Sequence, residues 1–178
     1  MNRRTATRLL LTAATALSLA ACGSDDGSTS AAPTTQACET RSATAPAPDG
    51  VSTDLSEAPE VPTTEAAPPC DLEISDVVVG TGAEAVDGSV TAVKYVGAFY
   101  GTGEQFDSSW SRGDDETLPV TVGAGQVIRG FDQGINGMKV GGRRLVVIPS
   151  DLGYGAQGQG PIPGGATLVF VIDLVSVG

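Results

Sequence analysis

The side chains that could do chemistry in this chain are mainly aromatic, and all of the aromatic residues lie in its second half. The 178 residues include eight aromatics, all between Tyr95 and Phe170, and no histidine. All three cysteines precede residue 71, and no GxxxxGK[ST] motif occurs. These absences exclude histidine-dependent triads, histidine-containing zinc sites, P-loop phosphate binding and cysteine nucleophiles within residues 71–178. We predict no metal, no cofactor and a chemistry based on non-covalent binding.

A glycine-rich loop directly precedes the most strand-like segment of the chain. Gly153, Gly155 and Gly158 have the spacing GxGxxG. A dinucleotide site needs these glycines to lead from a strand into a helix. Pro161 and Pro163 follow instead, and proline disfavours a helix interior. We therefore expect no nucleotide site here.

The charge of the chain also limits its partners. Its net charge is −11, and without an N-terminal signal containing Arg3, Arg4 and Arg8 it is −14. Such a chain repels nucleic acid and anionic lipid headgroups, so we predict no nucleic-acid partner. The acidic run at residues 114–116 is typical of a solvated turn, and it lacks the Asp-x-Asp-x-Asp-Gly spacing of a calcium loop.

The elements that must position the aromatic residues follow from the hydrophobic pattern. Phe131, Ile135 and Met138 form one apolar stripe and predict a helix over residues 129–138. Residues 166–177 alternate between two apolar faces and should form a central strand covered on both sides. The pattern thus predicts an α+β domain over residues 71–178, with about five antiparallel strands and one short helix. The predicted strands lie within residues 72–80, 89–99, 104–110, 118–123, 143–149 and 166–177.

The N-terminus has the pattern of an export signal. Three arginines precede a twelve-residue apolar run, "LLLTAATALSLA", which is too short to span a bilayer. The run ends in "LAAC", which resembles a bacterial lipobox. We predict a signal peptide at residues 1–21 and a lipidated Cys22, which would anchor the exported protein at the outer face of the cytoplasmic membrane. An ordinary signal cleaved near Ala21 is the alternative.

Residues 22–70 are rich in Ser, Thr, Ala, Pro and acidic residues and contain no aromatic residue. This composition predicts a disordered tether. If Cys22 carries lipid, Cys38 and Cys70 remain as a pair outside the reducing cytosol, and we predict a disulfide between them. Two free thiols are the alternative, because spacing alone does not determine pairing.

Three long segments of the domain carry a family resemblance: "KYVGAFYGTGEQFDSSW", "GAGQVIRGFDQGINGMKVGGRRLVVIPSDLGYGAQG" and "IPGGATLVFVIDLVSV". In this order they are similar to the FKBP family of peptidyl-prolyl cis/trans isomerases, from about Leu72 to Gly178. The resemblance implies an FKBP-like fold, activity on X-Pro bonds, clients that are proline-containing polypeptides, and macrolides as candidate ligands. We expect a monomer, because a domain of this size can fold alone.

The resemblance also implies the site residues. Asp107, Tyr154, Phe106 and Phe131 correspond to the catalytic set, with Phe131 where many members have Trp. Arg112 corresponds to the guanidinium that pairs with Asp107, and Leu118 stands at the position of a wall aromatic. The other implied substrate-binding residues are Tyr95, Val127, Ile128, Ile162 and Phe170.

The residue inventory agrees with this activity. Rotation about an X-Pro bond has a barrier near 20 kcal/mol because amide resonance must be broken, and it needs no nucleophile. A dry apolar pocket that favours the twisted amide would lower that barrier. Without the resemblance, the phenylalanines could be core residues and Asp107 an Asx-turn. A non-catalytic peptide-binding module, suggested by Leu118 and Phe131, is the main alternative function, and an envelope spacer is a weaker one.

Overall fold

The computed structural model describes residues 49–178. These residues form six strands and one α-helix, α1 at Arg129–Ile135, with short 3₁₀ turns at Trp110–Arg112 and Ser150–Leu152. The predicted α+β fold, an antiparallel sheet packed on one short helix, is confirmed. The strands are β1 at Glu73–Val78, β2 at Val90–Phe99, β3 at Gln105–Ser108, β4 at Leu118–Thr121, β5 at Arg143–Ile148 and β6 at Leu168–Val177.

The sheet has the strand order β1-β5-β6-β2-β3, and all its pairs are antiparallel. One edge of β2 pairs with β6 along nearly its whole length. The other edge is shared, because β4 pairs with the first half of β2 and β3 with the second half. Strand β6 is therefore central, as its two apolar faces predicted.

Helix α1 lies against one face of the sheet. Its residues Phe131 and Ile135 are buried together with Val146 and Ile148 of β5. The helix approaches the sheet closely at Gly130, where an added Cβ would lie 2.4 Å from Cγ2 of Ile148. The helix ends earlier than the predicted residue 138, although Met138 remains buried in the same core.

Residues 51–69 cover part of the opposite face of the sheet, and we call them the strap. Val51 of the strap is buried against Leu145, Val147, Val169 and Val171, which point away from the helix. This differs from our expectation of a disordered tether up to residue 70. The composition of residues 51–69 indicated disorder, but the contacts that order them are with strands distant in sequence.

The other N-terminal predictions fall mainly outside the described residues. The signal peptide, Cys22 and Cys38 all precede residue 49. Cys70 is disulfide-bonded, but its pairing with Cys38 stays a prediction. Among residues 49–178, no helix has both the length and the apolar character needed to cross a membrane.

Candidate active site

A cavity of about 530 Å³ lies between helix α1, strands β2 and β3, and the glycine-rich loop after β5. Its size is within the range of sites that hold small ligands or a few residues of a peptide. Strands and the helix supply six of its thirteen lining residues, and the loops before α1 and after β5 supply the other seven. The lining residues are Tyr95, Phe106, Asp107, Leu118, Gln126, Val127, Ile128, Phe131, Gly153, Tyr154, Gly158, Gln159 and Phe170.

The inner part of the cavity is a cluster of aromatic rings in edge-to-face contact. The ring centroids of Phe131 and Phe170 are 5.1 Å apart, with their planes at 81°. Tyr95 meets Phe131 at 5.7 Å and 83°, and Phe106 meets Phe170 at 5.6 Å and 82°. Each such pair adds about 0.5–1.5 kcal/mol to the effect of burial. The four rings therefore form a preorganised apolar surface.

Gly97 on β2 lies directly behind two of these rings. An added Cβ there would be 2.7 Å from Cε1 of Phe170 and 2.9 Å from Cζ of Phe106, well inside the usual carbon–carbon separation of about 3.5–4.0 Å. The missing side chain thus lets both rings lie against the strand.

A polar cluster closes one side of the cavity around Asp107 on β3. One carboxylate oxygen, Oδ2, accepts a hydrogen bond of 2.5 Å from the hydroxyl of Tyr95. The other oxygen, Oδ1, accepts bonds of 2.8 Å from Arg112 and from the backbone N–H of Ser108. Arg112 also donates to the Tyr95 hydroxyl at 3.0 Å. Arg112 thus acts through Asp107 and Tyr95 and does not line the cavity.

These contacts set the ionisation of the cluster. Burial tends to raise the pKa of Asp107, but the hydrogen bonds from Tyr95, Arg112 and Ser108 outweigh it, and the net pKa lies below its usual value. Burial, followed by the hydrogen bond to Asp107, raises the pKa of Tyr95. At neutral pH the cluster therefore combines an anionic Asp107, a neutral Tyr95 and a cationic Arg112. The apolar part of the cavity contains no ionised group.

Tyr154 lines the cavity from the glycine-rich loop. Burial, and then the nearby charge of Asp107, raise its pKa, so the hydroxyl keeps its proton at neutral pH. Within the described residues this hydroxyl has no hydrogen-bond partner, although it lines the cavity. It can therefore donate to a carbonyl group of a bound ligand.

The glycine-rich loop is a folded structure and not a flexible connection. Gln159 and Ile162 exchange two backbone hydrogen bonds of 2.9 Å, which form a tight hairpin. Gly158 has a φ of +70°, and an added Cβ would lie 2.2 Å from the carbonyl oxygen of Ile162. Only glycine fits this position without a rearrangement. The loop thereby holds Tyr154 and Gln159 at the edge of the cavity.

The structure brings most of the predicted site residues to one cavity. Ile162 is not among the residues that line the cavity; it is 7% exposed and packs in the same cluster as Phe131 and Phe170, and its role in substrate binding stays a prediction. Sequence reasoning did not assign Gln126, Gly153, Gly158 or Gln159, which lie within or beside segments of the family resemblance. The predicted residues on the cavity wall are Tyr95, Phe106, Asp107, Leu118, Val127, Ile128, Phe131, Tyr154 and Phe170.

Two loop residues of the cavity wall, Gln126 and Ile128, are fixed by hydrogen bonds to neighbouring backbone N–H groups. The side-chain oxygen of Gln126 accepts a bond of 2.8 Å from the N–H of Thr121. Ile128 is the N-cap of α1, and its carbonyl accepts bonds from the N–H groups of Phe131 and Asp132. The segment leading into the helix is therefore anchored at both ends.

Comparison with known proteins gives the same family as the sequence resemblance. The model of the family described as FKBP-type peptidyl-prolyl cis-trans isomerase matches residues 82–175. An FK506-binding protein of Streptomyces anulatus is 51% identical over 123 residues, which cover 68% of this chain and 98% of the relative. A probable FK506-binding protein of Corynebacterium glutamicum is 48% identical over 120 residues, 67% of this chain and 98% of the relative.

Solved structures show the same similarity. The crystal structure of AtFKBP13 has a TM-score of 0.56 and 38% identity, over 62% of this chain and 96% of that protein. The crystal structure of FkpA from Escherichia coli has a TM-score of 0.54 and 34% identity, over 66% of this chain and 51% of that protein.

Proposed function

Because the chain belongs to the family of FKBP-type peptidyl-prolyl cis-trans isomerases, we propose that it isomerises X-Pro bonds of newly exported polypeptides from a lipid anchor outside the cytoplasm. The convergence of nine predicted residues on one aromatic cavity supports the site. The export signal and lipobox in the sequence support the location. The alternative of a non-catalytic binding module is not favoured, since the family is one of isomerases.

The cavity can lower the rotational barrier without covalent chemistry. A planar amide is charge-separated by resonance, whereas the twisted amide is not, so transfer into an apolar cavity disfavours the planar form relative to the transition state. The rings of Phe106, Phe131 and Phe170 would supply this apolar surface and hold the proline ring. A reduction of the barrier by about 7 kcal/mol would accelerate rotation about 10⁵-fold.

The polar groups would add differential binding of the twisted form. The Tyr154 hydroxyl is placed to donate to a ligand carbonyl, and the N–H of Ile128 is the second donor that the family resemblance implies. Asp107 would act as a fixed negative charge at the cavity wall, and its hydrogen bonds to Tyr95 and Arg112 hold it in position. Donors that fit only the twisted geometry raise the rate and not only the affinity.

The catalytic proposal is tested by following cis/trans exchange of a short X-Pro peptide by NMR with catalytic amounts of the protein. We expect acceleration by the wild type and a two- to tenfold loss of kcat/KM in Tyr154→Phe, about the effect of one hydrogen bond. Asp107→Leu should lose more, since it also removes the partner of Arg112 and Tyr95. Ser89→Ala, which also removes a hydroxyl but outside the cavity, is the control for Tyr154→Phe and should keep wild-type activity. Exchange that a folded wild type does not accelerate would contradict the proposal.

The anchor is tested separately by fractionation of expressing cells. Cys22→Ala should release the protein from the membrane, because the substitution removes the atom that would carry the lipid. Cys38→Ala is the matched control and should stay in the membrane fraction. If Cys22→Ala remains membrane-bound as well, the lipobox interpretation is wrong.

A proline-containing client and a macrolide would compete for the same cavity in this proposal. Loss of peptide isomerisation on addition of the macrolide FK506, with tight binding to the wild type and weaker binding to Phe131→Ala, is the expected result. FK506 that binds without inhibiting turnover would place the reaction elsewhere.

A further inference from the structure

The strap, residues 51–69, is fixed to the sheet at several separate points. Its first half is held by Arg143 on β5, whose side chain is completely buried. The guanidinium donates two bonds to the Asp173 carboxylate, at 2.6 and 2.7 Å. Its other three N–H groups donate to the carbonyls of Ser52, Asp54 and Glu57, at 2.7, 3.0 and 2.9 Å. All five donors of Arg143 are thus used, three of them by the strap.

The second half of the strap reaches the turn between β2 and β3. The N–H of Thr64 donates to the carbonyl of Gly101 at 3.1 Å. The hydroxyl of Tyr100 donates to the carbonyl of Ala67 at 3.3 Å. The strap also runs directly against Gly103, where an added Cβ would be 3.0 Å from the carbonyl oxygen of Val61. The strap therefore contacts this turn through hydrogen bonds and close packing.

The turn leads into β3, the strand that carries Phe106 and Asp107 of the cavity wall. Strand β3 is four residues long and, within residues 49–178, pairs with β2 alone, with a register shift between Gly97 and Ala98 of β2. At its far end, Ser109 is fixed by a backbone bond of 3.0 Å to Tyr95. An edge strand this short has few contacts of its own. Its other end follows the turn, which is fixed by its own backbone bonds at Phe99, by the bond from the N–H of Tyr100 to the carbonyl of Thr167, and by the strap.

We propose that the second half of the strap, residues 61–67, is a positioning element of the isomerase site, which fixes the β2–β3 turn and thereby sets where Phe106 and Asp107 stand in the cavity wall. This proposal rests on the isomerase activity of the family and not on export or lipidation. The positioning residues are Thr64 of the strap, whose N–H binds the turn, and Tyr100 of the turn, whose hydroxyl binds the strap; neither lines the cavity. Catalysis would then depend on residues that precede the region matched by the family model.

The test compares Thr64→Pro, which removes the N–H that binds Gly101, with Val51→Ala, which weakens the strap at its other end. Tyr100→Phe is a milder variant that removes only the hydroxyl. For each full-length protein, purified from expressing cells, three quantities are measured: kcat/KM on an X-Pro peptide, the urea midpoint of unfolding, and the amide NMR signals of Phe106 and Asp107.

We expect Thr64→Pro to lower kcat/KM about fivefold, the equivalent of one hydrogen bond, and to shift and broaden both amide signals. Tyr100→Phe should have a smaller effect in the same direction, and it still tests the proposal if Thr64→Pro does not fold. Val51→Ala should lower the urea midpoint but leave kcat/KM and both signals at wild-type values.

Equal losses of kcat/KM in Val51→Ala and Thr64→Pro at equal losses of stability would overturn the proposal, since the strap would then act only through overall stability. Amide signals of Phe106 and Asp107 that are unchanged in both Thr64→Pro and Tyr100→Phe would overturn it as well. The NMR measurement does not need turnover. A wild type without activity would therefore contradict the family function, and the β3 signals would still decide the role of the strap.

Discussion

Replacement of Gly97 by alanine should displace two aromatic rings of the cavity wall, although Gly97 itself does not line the cavity. The added Cβ would lie 2.7 Å from Phe170 and 2.9 Å from Phe106. Carbon atoms in contact are separated by about 3.5–4.0 Å, so the ring of Phe170 must move by at least about 0.8 Å and that of Phe106 by at least about 0.6 Å. Because β2 is behind them, they can only move into the cavity or tilt.

The expected cost has two parts. Overpacking of a well-packed core typically costs about 1–3 kcal/mol of unfolding free energy. The displaced rings would also fit a proline ring less well, and a loss of about 1.4 kcal/mol of transition-state binding lowers kcat/KM tenfold. We therefore expect Gly97→Ala to fold with reduced stability and to lose about tenfold or more in kcat/KM.

The measurements are urea unfolding and peptide isomerisation, with Ala98→Gly as the control. Ala98 is the buried neighbour of Gly97 on the same strand, and it does not line the cavity. Its replacement should cost about 1 kcal/mol of stability, because glycine is unfavourable within a strand, and should leave kcat/KM unchanged. Full activity in a folded Gly97→Ala protein would show that the ring positions are not set by this contact, or that they do not matter for catalysis.

Two further changes test the electrostatics. Burial raises the pKa of Asp107, but hydrogen bonds from Tyr95, Arg112 and Ser108 outweigh it and hold this pKa below its usual 3.8. The stability advantage of the wild type over Asp107→Asn should therefore be fully present above pH 3.8 and be lost as the pH falls through the folded pKa. A difference between their urea midpoints that stays constant from pH 7 to pH 3 would refute this. Arg143→Met should cost about 3–5 kcal/mol by leaving a buried Asp173 unpaired. A second substitution, Asp173→Leu, should restore only the part due to the unpaired carboxylate, because the bonds from Arg143 to three strap carbonyls stay lost. A single variant that loses less than about 1 kcal/mol would contradict this account.

The sequence was most informative for segments where the local hydrophobic pattern and the tertiary packing favour the same secondary structure. The six strands lie within the predicted segments, because short apolar runs bounded by glycine, proline and polar residues are typical of strands. The helix was placed correctly at its start, but Asn136 already leaves the helical conformation and Gly137 has a φ of +77°, so the helix stops at Ile135. Met138 keeps its place in the core without being helical.

The site residues were predictable mainly through the family resemblance. The types and spacing of Tyr95, Asp107 and Arg112 do not show that a hydroxyl, a carboxylate and a guanidinium meet, since the contact depends on the pairing of β2 with β3. The role of Ile162 in substrate binding stays a prediction, because its apolar side chain suits a cavity wall and a core equally well.

The need for a cover such as the strap could have been inferred from the apolar pattern of strands β5 and β6. Strands β5 and β6 are apolar on both faces: Val146, Ile148, Phe170 and Ile172 pack in the cluster that includes the helix, and Leu145, Val147, Val169 and Val171 point the other way. One helix of seven residues cannot cover both faces. An uncovered apolar face of this kind would invite association. The central position predicted for β6 thus already required a second cover, and the residues that precede β1 supply it despite a composition that on its own predicts disorder.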